Sequence, residues 1–215
     1  MTRFAAAIFD LDGVLADSAT AHFAAWSRLA DELGIAFTHA DNEALKGVDR
    51  MGSLRHILAL GARTLPEAEM EALATRKNGY YLDAVRDMTP AALLPGAEAL
   101  VRAAKARGLA CAVASASRNA PLLLDRLGVS GLFDFVADAG KVAQGKPAPD
   151  IFLACSAALG VAPDRCIGFE DAAAGIAAIR AAGMYAVGIG DPAVLGAADI
   201  VYPDTASVDL DALLG

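Results

Sequence analysis

The chain has 215 residues, with 26 acidic and 18 basic side chains and a formal net charge of −8. Hydrophobic residues make up 56% and charged ones 20%, which excludes a disordered chain and leaves room for one or two domains with a sizeable core. The acidic balance argues against a nonspecific nucleic-acid binder or an anionic-membrane binder, since both need a basic surface. Phosphate substrates stay open, because a metal ion can supply positive charge locally.

In chain order, the first apolar run is Phe4–Phe9, continuous rather than alternating, as in a parallel strand buried on both faces. It ends at Asp10, short of the ~7–15-residue core of a secretion signal. From about Ser18 to Met88 the pattern is helical, with no convincing strand. His22, Trp26, Leu29 and Leu33 share one helix face, while Gly34, Gly47, Gly52 and Gly61 punctuate the chain after it. Pro66 to Arg86 reads as a long helix.

Strand-length runs then recur at Leu109–Ala114, Phe135–Ala137, Cys166–Phe169, Ala186–Ile189 and Ile200–Tyr202. Helix-length segments lie between them. Gly96–Arg107 closes on cations and Gly108; Asn119 is placed to cap a helix with Pro121 in its first turn. Asp150–Gly160 and Asp171–Gly183 start on an acid and stop on glycine. The alternation predicts an α/β fold, a doubly wound, Rossmann-like parallel sheet. The helical stretch predicts a small all-helical domain inserted after the first strand, over residues 17–89. Residues 1–16 and 90–215 would form the α/β core, with hinges near Ala16 and Thr89–Pro95.

The longest stretch without a charge, Ile151 to Pro163, has thirteen residues, fewer than the ~18 a membrane-spanning helix needs. Cys111, Cys155 and Cys166 are odd in number and widely spaced, so reduced core thiols are expected. A cytoplasmic protein is the expectation.

Four features carry chemistry. Asp10-Leu11-Asp12-Gly13 ends the first strand, the edge where ligands sit in open α/β sheets, and a period of two sends both carboxylates to one side. Glu170-Asp171 end another strand. On parallel strands these four acids meet, and their repulsion demands protons or a cation. Oxygen ligands without His or Cys favour Mg²⁺ over zinc. Ser115-Ala116-Ser117-Arg118-Asn119 sits between a strand and a helix start, a ready phosphate site, and Lys146 offers a further charge. Each alone is also compatible with an ordinary cap or a solvated lysine. Gly140 to Lys146 imitates a nucleotide P-loop, but Pro147 removes the required hydroxyl and donor.

In this order the four features resemble the haloacid dehalogenase superfamily of phosphotransferases. Leu45–Arg50 (LKGVDR) and Ala114–Asn119 (ASASRN) narrow the resemblance to its β-phosphoglucomutase family. It extends through FDLDGVLAD (Phe9–Asp17), RKN (Arg76–Asn78), KPAPDIF (Lys146–Phe152) and IGFEDAAAG (Ile167–Gly175). The resemblance implies a mutase that interconverts β-D-glucose 1-phosphate and D-glucose 6-phosphate through an aspartyl phosphate and β-glucose 1,6-bisphosphate. The alternative is a sugar-phosphate phosphatase of the same fold.

Spacing leaves open which aspartate attacks; the resemblance implies Asp10 as nucleophile and Asp12 as general acid/base. It implies Mg²⁺ held by Asp10, the Asp12 backbone and Asp171, with Glu170 in or beside the shell. Ser115 and Lys146 would stabilise the transferring phosphoryl group. Arg50, Ser117, Arg118 and Asn119 would hold the distal phosphate. Gly47, Val48, Ser53 and Lys77 would line the sugar side, with His22 and Trp26 near the hinge. His22 on an apolar helix face is equally readable as a buried core residue. Partners implied are small sugar phosphates, not nucleic acid or membrane, and a monomer is expected because one chain carries the whole site. Two positions depart from the family's pattern. Arg118 stands where lysine is usual, and Asp49 replaces a small polar residue, where it would orient Arg50 or weaken its hold on phosphate.

Overall fold

A computed structural model describes residues 3–215. Its elements in order are β1 (Ala6–Phe9), α1 (Ala19–Glu32), α2 (His39–Glu43), α3 (Arg50–Leu60) and α4 (Glu67–Ala84). There follow α5 (Ala97–Ala106), β2 (Ala110–Val113), α6 (Ala120–Arg126), β3 (Phe135–Val136), α7 (Asp150–Leu159) and β4 (Cys166–Glu170). The chain closes with α8 (Ala173–Ala181), β5 (Tyr185–Ile189), α9 (Pro192–Leu195), β6 (Ile200–Tyr202) and α10 (Leu210–Leu214).

The six strands form one parallel sheet in the order β3-β2-β1-β4-β5-β6. This is the doubly wound, Rossmann-like α/β sheet that the apolar runs predict. β1 is buried at every position because both sheet faces are covered. On one face Ala7, Phe9, Val113 and Phe169 pack with Leu100, Leu123 and Leu213 of α5, α6 and α10. On the other, Ala6, Ile8 and Ala112 pack with Phe152, Cys155, Ile176 and Ile179 of α7 and α8. The three cysteines are free and buried. Among the described residues no helix is long and apolar enough to cross a membrane.

Helices α1, α3 and α4 bury a cluster of their own: Trp26, Leu29 and Ala30 meet Leu54, Ile57 and Leu58, with Met70, Leu73 and Ala74 from α4. The chain enters and leaves this block side by side. Ala16 and Leu93 form an antiparallel bridge, Asp17 N–H donates to the Ala92 carbonyl at 3.0 Å, and Leu94 N–H to that of Leu15 at 3.0 Å.

Register positions the site. Phe9 lies opposite Phe169 across β1 and β4, their rings stacked with centroids 4.8 Å apart. Asp10 N–H extends the ladder by bonding the Phe169 carbonyl at 2.9 Å. The two strands therefore deliver Asp10 and Glu170 side by side at the carboxyl edge of the sheet.

Candidate active site

Between that sheet edge and the α1–α4 block lies a cavity of about 630 Å³. Asp10, Asp12, Lys146 and Asp171 line it at the sheet edge, and Ser117, Arg118 and Asn119 line it further along the core. From the helical block come His22, Trp26, Gly47, Val48, Arg50, Ser53 and Lys77. Ser115 and Glu170 are fully buried and do not reach the wall. Ser115 Oγ accepts the Ser117 N–H at 3.0 Å.

At the acid end, Lys146 Nζ donates to Asp10 Oδ1 at 2.6 Å and to Glu170 Oε2 at 2.8 Å, all three groups buried. Burial alone would lower the Lys146 ammonium, but Asp10 and Glu170 outweigh it and hold it above its ordinary value. Burial raises Asp10 despite Lys146, and burial with Asp10 raises Glu170 well above the carboxylate range.

Glycines admit the acids. Gly13 has φ +86°, and a Cβ there would lie 2.2 Å from Asp171 Oδ2. At Gly175 a Cβ would fall 1.9 Å from the Glu170 carboxyl carbon, so α8 can lie against that side chain only without one.

Whether this end suits a cation is answered by its unbalanced chemistry. Asp10, Glu170 and Asp171 each offer an oxygen within 4.8 Å of the others, and Glu170 Oε1 is buried without a hydrogen-bond partner among the described residues. Three carboxylates against one ammonium leave two negative charges, which one divalent cation cancels. An all-oxygen set of this kind fits Mg²⁺. The Asp12 carboxylate is not in this cluster; it accepts a short hydrogen bond from Ser18 Oγ and lies 3.6 Å from His22 Nε2.

Burial, with Asp10 adding to it, raises Asp171 to about 7 in the metal-free protein. A carboxyl whose folded value exceeds its unfolded value holds its proton more tightly when folded. Metal-free stability from this group is therefore full below about pH 4 and is lost as the pH climbs through 7. Mg²⁺ must displace the same proton, so its affinity is expected to rise about tenfold from pH 6 to pH 8. Calorimetric titration at the two pH values checks this, and a flat affinity would contradict it.

The wall facing the sheet carries an ordered chain of polar groups. Lys77 is buried, its Nζ 4.4 Å from the Trp26 ring centroid and 5.3 Å from that of Tyr81. Burial and then Arg50 lower it to about 7. Its Nζ lies 2.9 Å from His22 Nδ1, and His22 stacks on Tyr81 with centroids 4.1 Å apart. Burial, Lys77 and Arg50 keep His22 neutral, so Nδ1 accepts from Lys77 and the Nε2 hydrogen faces Asp12. His22 is thus partly buried, yet part of the cavity wall.

The opposite end is basic. Arg50, from the helical block, is lowered by burial and then by the nearness of Arg118, from the core. Among the described residues neither guanidinium forms an ion pair with a carboxylate. Asp138 senses Arg118 but is tied to the Gly140 N–H at 2.8 Å.

Asp49 does not pair with Arg50. It caps α3, its Oδ1 accepting the N–H groups of Met51 and Gly52 at 2.9 and 3.0 Å. Asn119 does not cap α6 with its side chain as expected; its Nδ2 donates to Asn78 Oδ1 at 2.8 Å. Ser53 is almost wholly buried, its Oγ 3.5 Å from the Val48 carbonyl. Two cavity residues carry no signal of their own in the sequence. Lys46 neighbours the recognised Gly47 and lowers Asp171, and Asn78 stands within the RKN segment.

With this geometry in place, comparison with known proteins fixes the class. Residues 4–183 match the haloacid dehalogenase-like hydrolase family, and the chain belongs to it. The β-phosphoglucomutase of Bacillus subtilis is 43% identical over 210 residues, 97% of this chain and 93% of that protein. A crystal structure of β-phosphoglucomutase from Clostridium difficile superposes with a TM-score of 0.95 at 42% identity, covering 98% of this chain and 95% of that one. The fructose-1-phosphate phosphatase YqaB of Escherichia coli is 37% identical over 193 residues, 87% of this chain and 97% of that protein.

Proposed function

We propose that the protein is a Mg²⁺-dependent β-phosphoglucomutase, interconverting β-D-glucose 1-phosphate and D-glucose 6-phosphate through β-glucose 1,6-bisphosphate. The observation that carries this reading is the two-ended cavity. One end gathers the acids, and the other holds two guanidiniums, Arg50 and Arg118, neither of them ion-paired with a carboxylate among the described residues. A phosphatase needs only the first end. A mutase must hold a second phosphate while the first is transferred. The relatives named β-phosphoglucomutase support the same reading.

In this reading residues 17–89 form a cap over the core of residues 1–16 and 90–215. A carboxylate oxygen of Asp10 forms a bond to phosphorus as the bond from phosphorus to the sugar oxygen breaks. Asp12 gives its proton to that departing oxygen. Burial raises Asp12, the direction a general acid requires. In the second half the 6-hydroxyl of β-glucose 1-phosphate gives its proton to Asp12 and attacks the aspartyl phosphorus, which frees Asp10 and forms the 1,6-bisphosphate whose 1-phosphate is the next to be transferred. Lys77, His22 and Ser18 hold Asp12 in place.

Mg²⁺, when bound by Asp10, the Asp12 backbone carbonyl, Asp171 and Glu170, supplies charge compensation for the phosphoryl oxygens. Lys146 and Ser115 contribute to the same compensation. Arg50, Ser117, Arg118 and Asn119 hold the distal phosphate; Gly47, Val48, Ser53 and Trp26 bound the sugar space. Cap and core together exclude water, so transfer outruns hydrolysis. A cytoplasmic monomer is the working form, since every group named comes from one chain.

The alternative, a sugar-phosphate phosphatase, is favoured by the phosphatase relative and by an acid end that is complete in itself. Purified protein with Mg²⁺, β-glucose 1-phosphate and a trace of the 1,6-bisphosphate separates the two. Glucose 6-phosphate with little inorganic phosphate is the expected product. In Arg50→Ala, mutase turnover is expected to fall more than tenfold while slow phosphate release persists. A smaller loss, or free phosphate as the wild-type product, would favour the phosphatase.

A further inference from the structure

One side-chain oxygen joins the two sides of the cavity. Asn78 Oδ1, on α4, accepts Arg50 NH2 at 2.7 Å from α3 and Asn119 Nδ2 at 2.8 Å from the core. Both donors belong to the basic end, and both lone pairs of that oxygen are then in use. Arg50 and Arg118 repel across the same gap. A single acceptor bonded to a donor on each side offsets that repulsion and fixes where both donors point.

We infer that Asn78 is a positioning residue that occupies the place of a phosphate oxygen, holding Arg50 and Asn119 ready and yielding them when the distal phosphate arrives. The inference rests on the reading that the basic end takes the second phosphate of the sugar. The exchange is favourable in direction because a phosphate oxygen carries negative charge that the neutral amide oxygen lacks, and a guanidinium can grip a phosphate through two parallel N–H bonds. The amide's neutrality is the essential property. A carboxylate at position 78 would pair with Arg50 and compete with the incoming anion instead of yielding to it.

The test is therefore the isosteric change Asn78→Asp, measured by equilibrium titration with inorganic phosphate in EDTA. Without a divalent cation the acid end repels the anion, so the titration reports the basic end. The expected result is phosphate binding at least tenfold weaker in Asn78→Asp than in wild type. In an Arg50→Ala background the same change is expected to weaken binding less than twofold, because the competition runs through Arg50. A merely structural role would weaken binding equally in both backgrounds, and that outcome overturns the inference. Unaltered binding in Asn78→Asp, or no phosphate binding by the wild-type protein, overturns it as well. Failure of the mutase reading shows separately, as free phosphate in the product assay.

Discussion

Replacing Asp10 by asparagine is expected to reduce glucose 6-phosphate formation by at least about 10⁴-fold, and to take phosphate release down with it. The amide has nearly the shape of the carboxylate but no nucleophilic oxygen, and it offers a cation a weaker ligand. The fold should survive the change. Lys146 keeps Glu170 as a partner at 2.8 Å, and one of three mutually repelling acids is gone. Urea unfolding in EDTA is expected to show stability equal to wild type or higher. Arg50→Ala makes the contrast, because it removes one end of the cavity and spares the other. Residual Asp10→Asn turnover above about 1% of wild type would mean that another group attacks phosphorus.

Lys146→Ala is expected to be the most destabilising single change in the site. Its ammonium is the only cation bonded to Asp10 and Glu170 among the described residues, and its removal leaves both carboxylates buried and unpaired. Breaking a buried pair in this way costs about 3–5 kcal/mol. Without the ammonium the folded-state values of both acids rise further. The defect should therefore be largest near pH 8 and shrink toward pH 5 as the acids bind protons. Saturating Mg²⁺ should restore part of the loss by binding only the folded form. Urea denaturation at both pH values, with and without Mg²⁺, reads all three effects. A stability loss under about 1 kcal/mol in EDTA at pH 8 would mean that the acids are solvated.

The sheet is legible in the sequence because burial on both faces leaves a continuous apolar run, and each of the six runs forms a strand within one or two residues. The acid end is legible for a related reason: carboxylates at the end of such a run are costly unless something uses them. Helix α3 is harder to read. Gly52 in its first turn reads as a break, while the residue that starts the helix, Asp49, reads as a modifier of Arg50. Its carboxylate is spent on backbone N–H groups, a local fact that sequence spacing permits but does not single out. Asn78 and Lys46 stay hidden because their roles depend on what faces them across the cavity. No periodicity within α4 marks Asn78 apart from its neighbours, and its partners lie 28 and 41 residues away.

The pairing of β1 with β4 has a consequence for how the chain is made. Asp10 leaves the ribosome early, and Lys146, 136 residues later, follows after roughly seven to thirty seconds at ~5–20 residues per second. Once Val113 has emerged β2 can protect one edge of β1, but the edge that will receive β4 has no strand to pair with. The nascent chain thus carries a short, wholly apolar strand with one open side until synthesis passes Glu170. A pause in translation within that span exposes the cell to a sticky fragment, and every such fragment lacks Glu170 and Asp171, the two acids that gather around Asp10 in the finished fold.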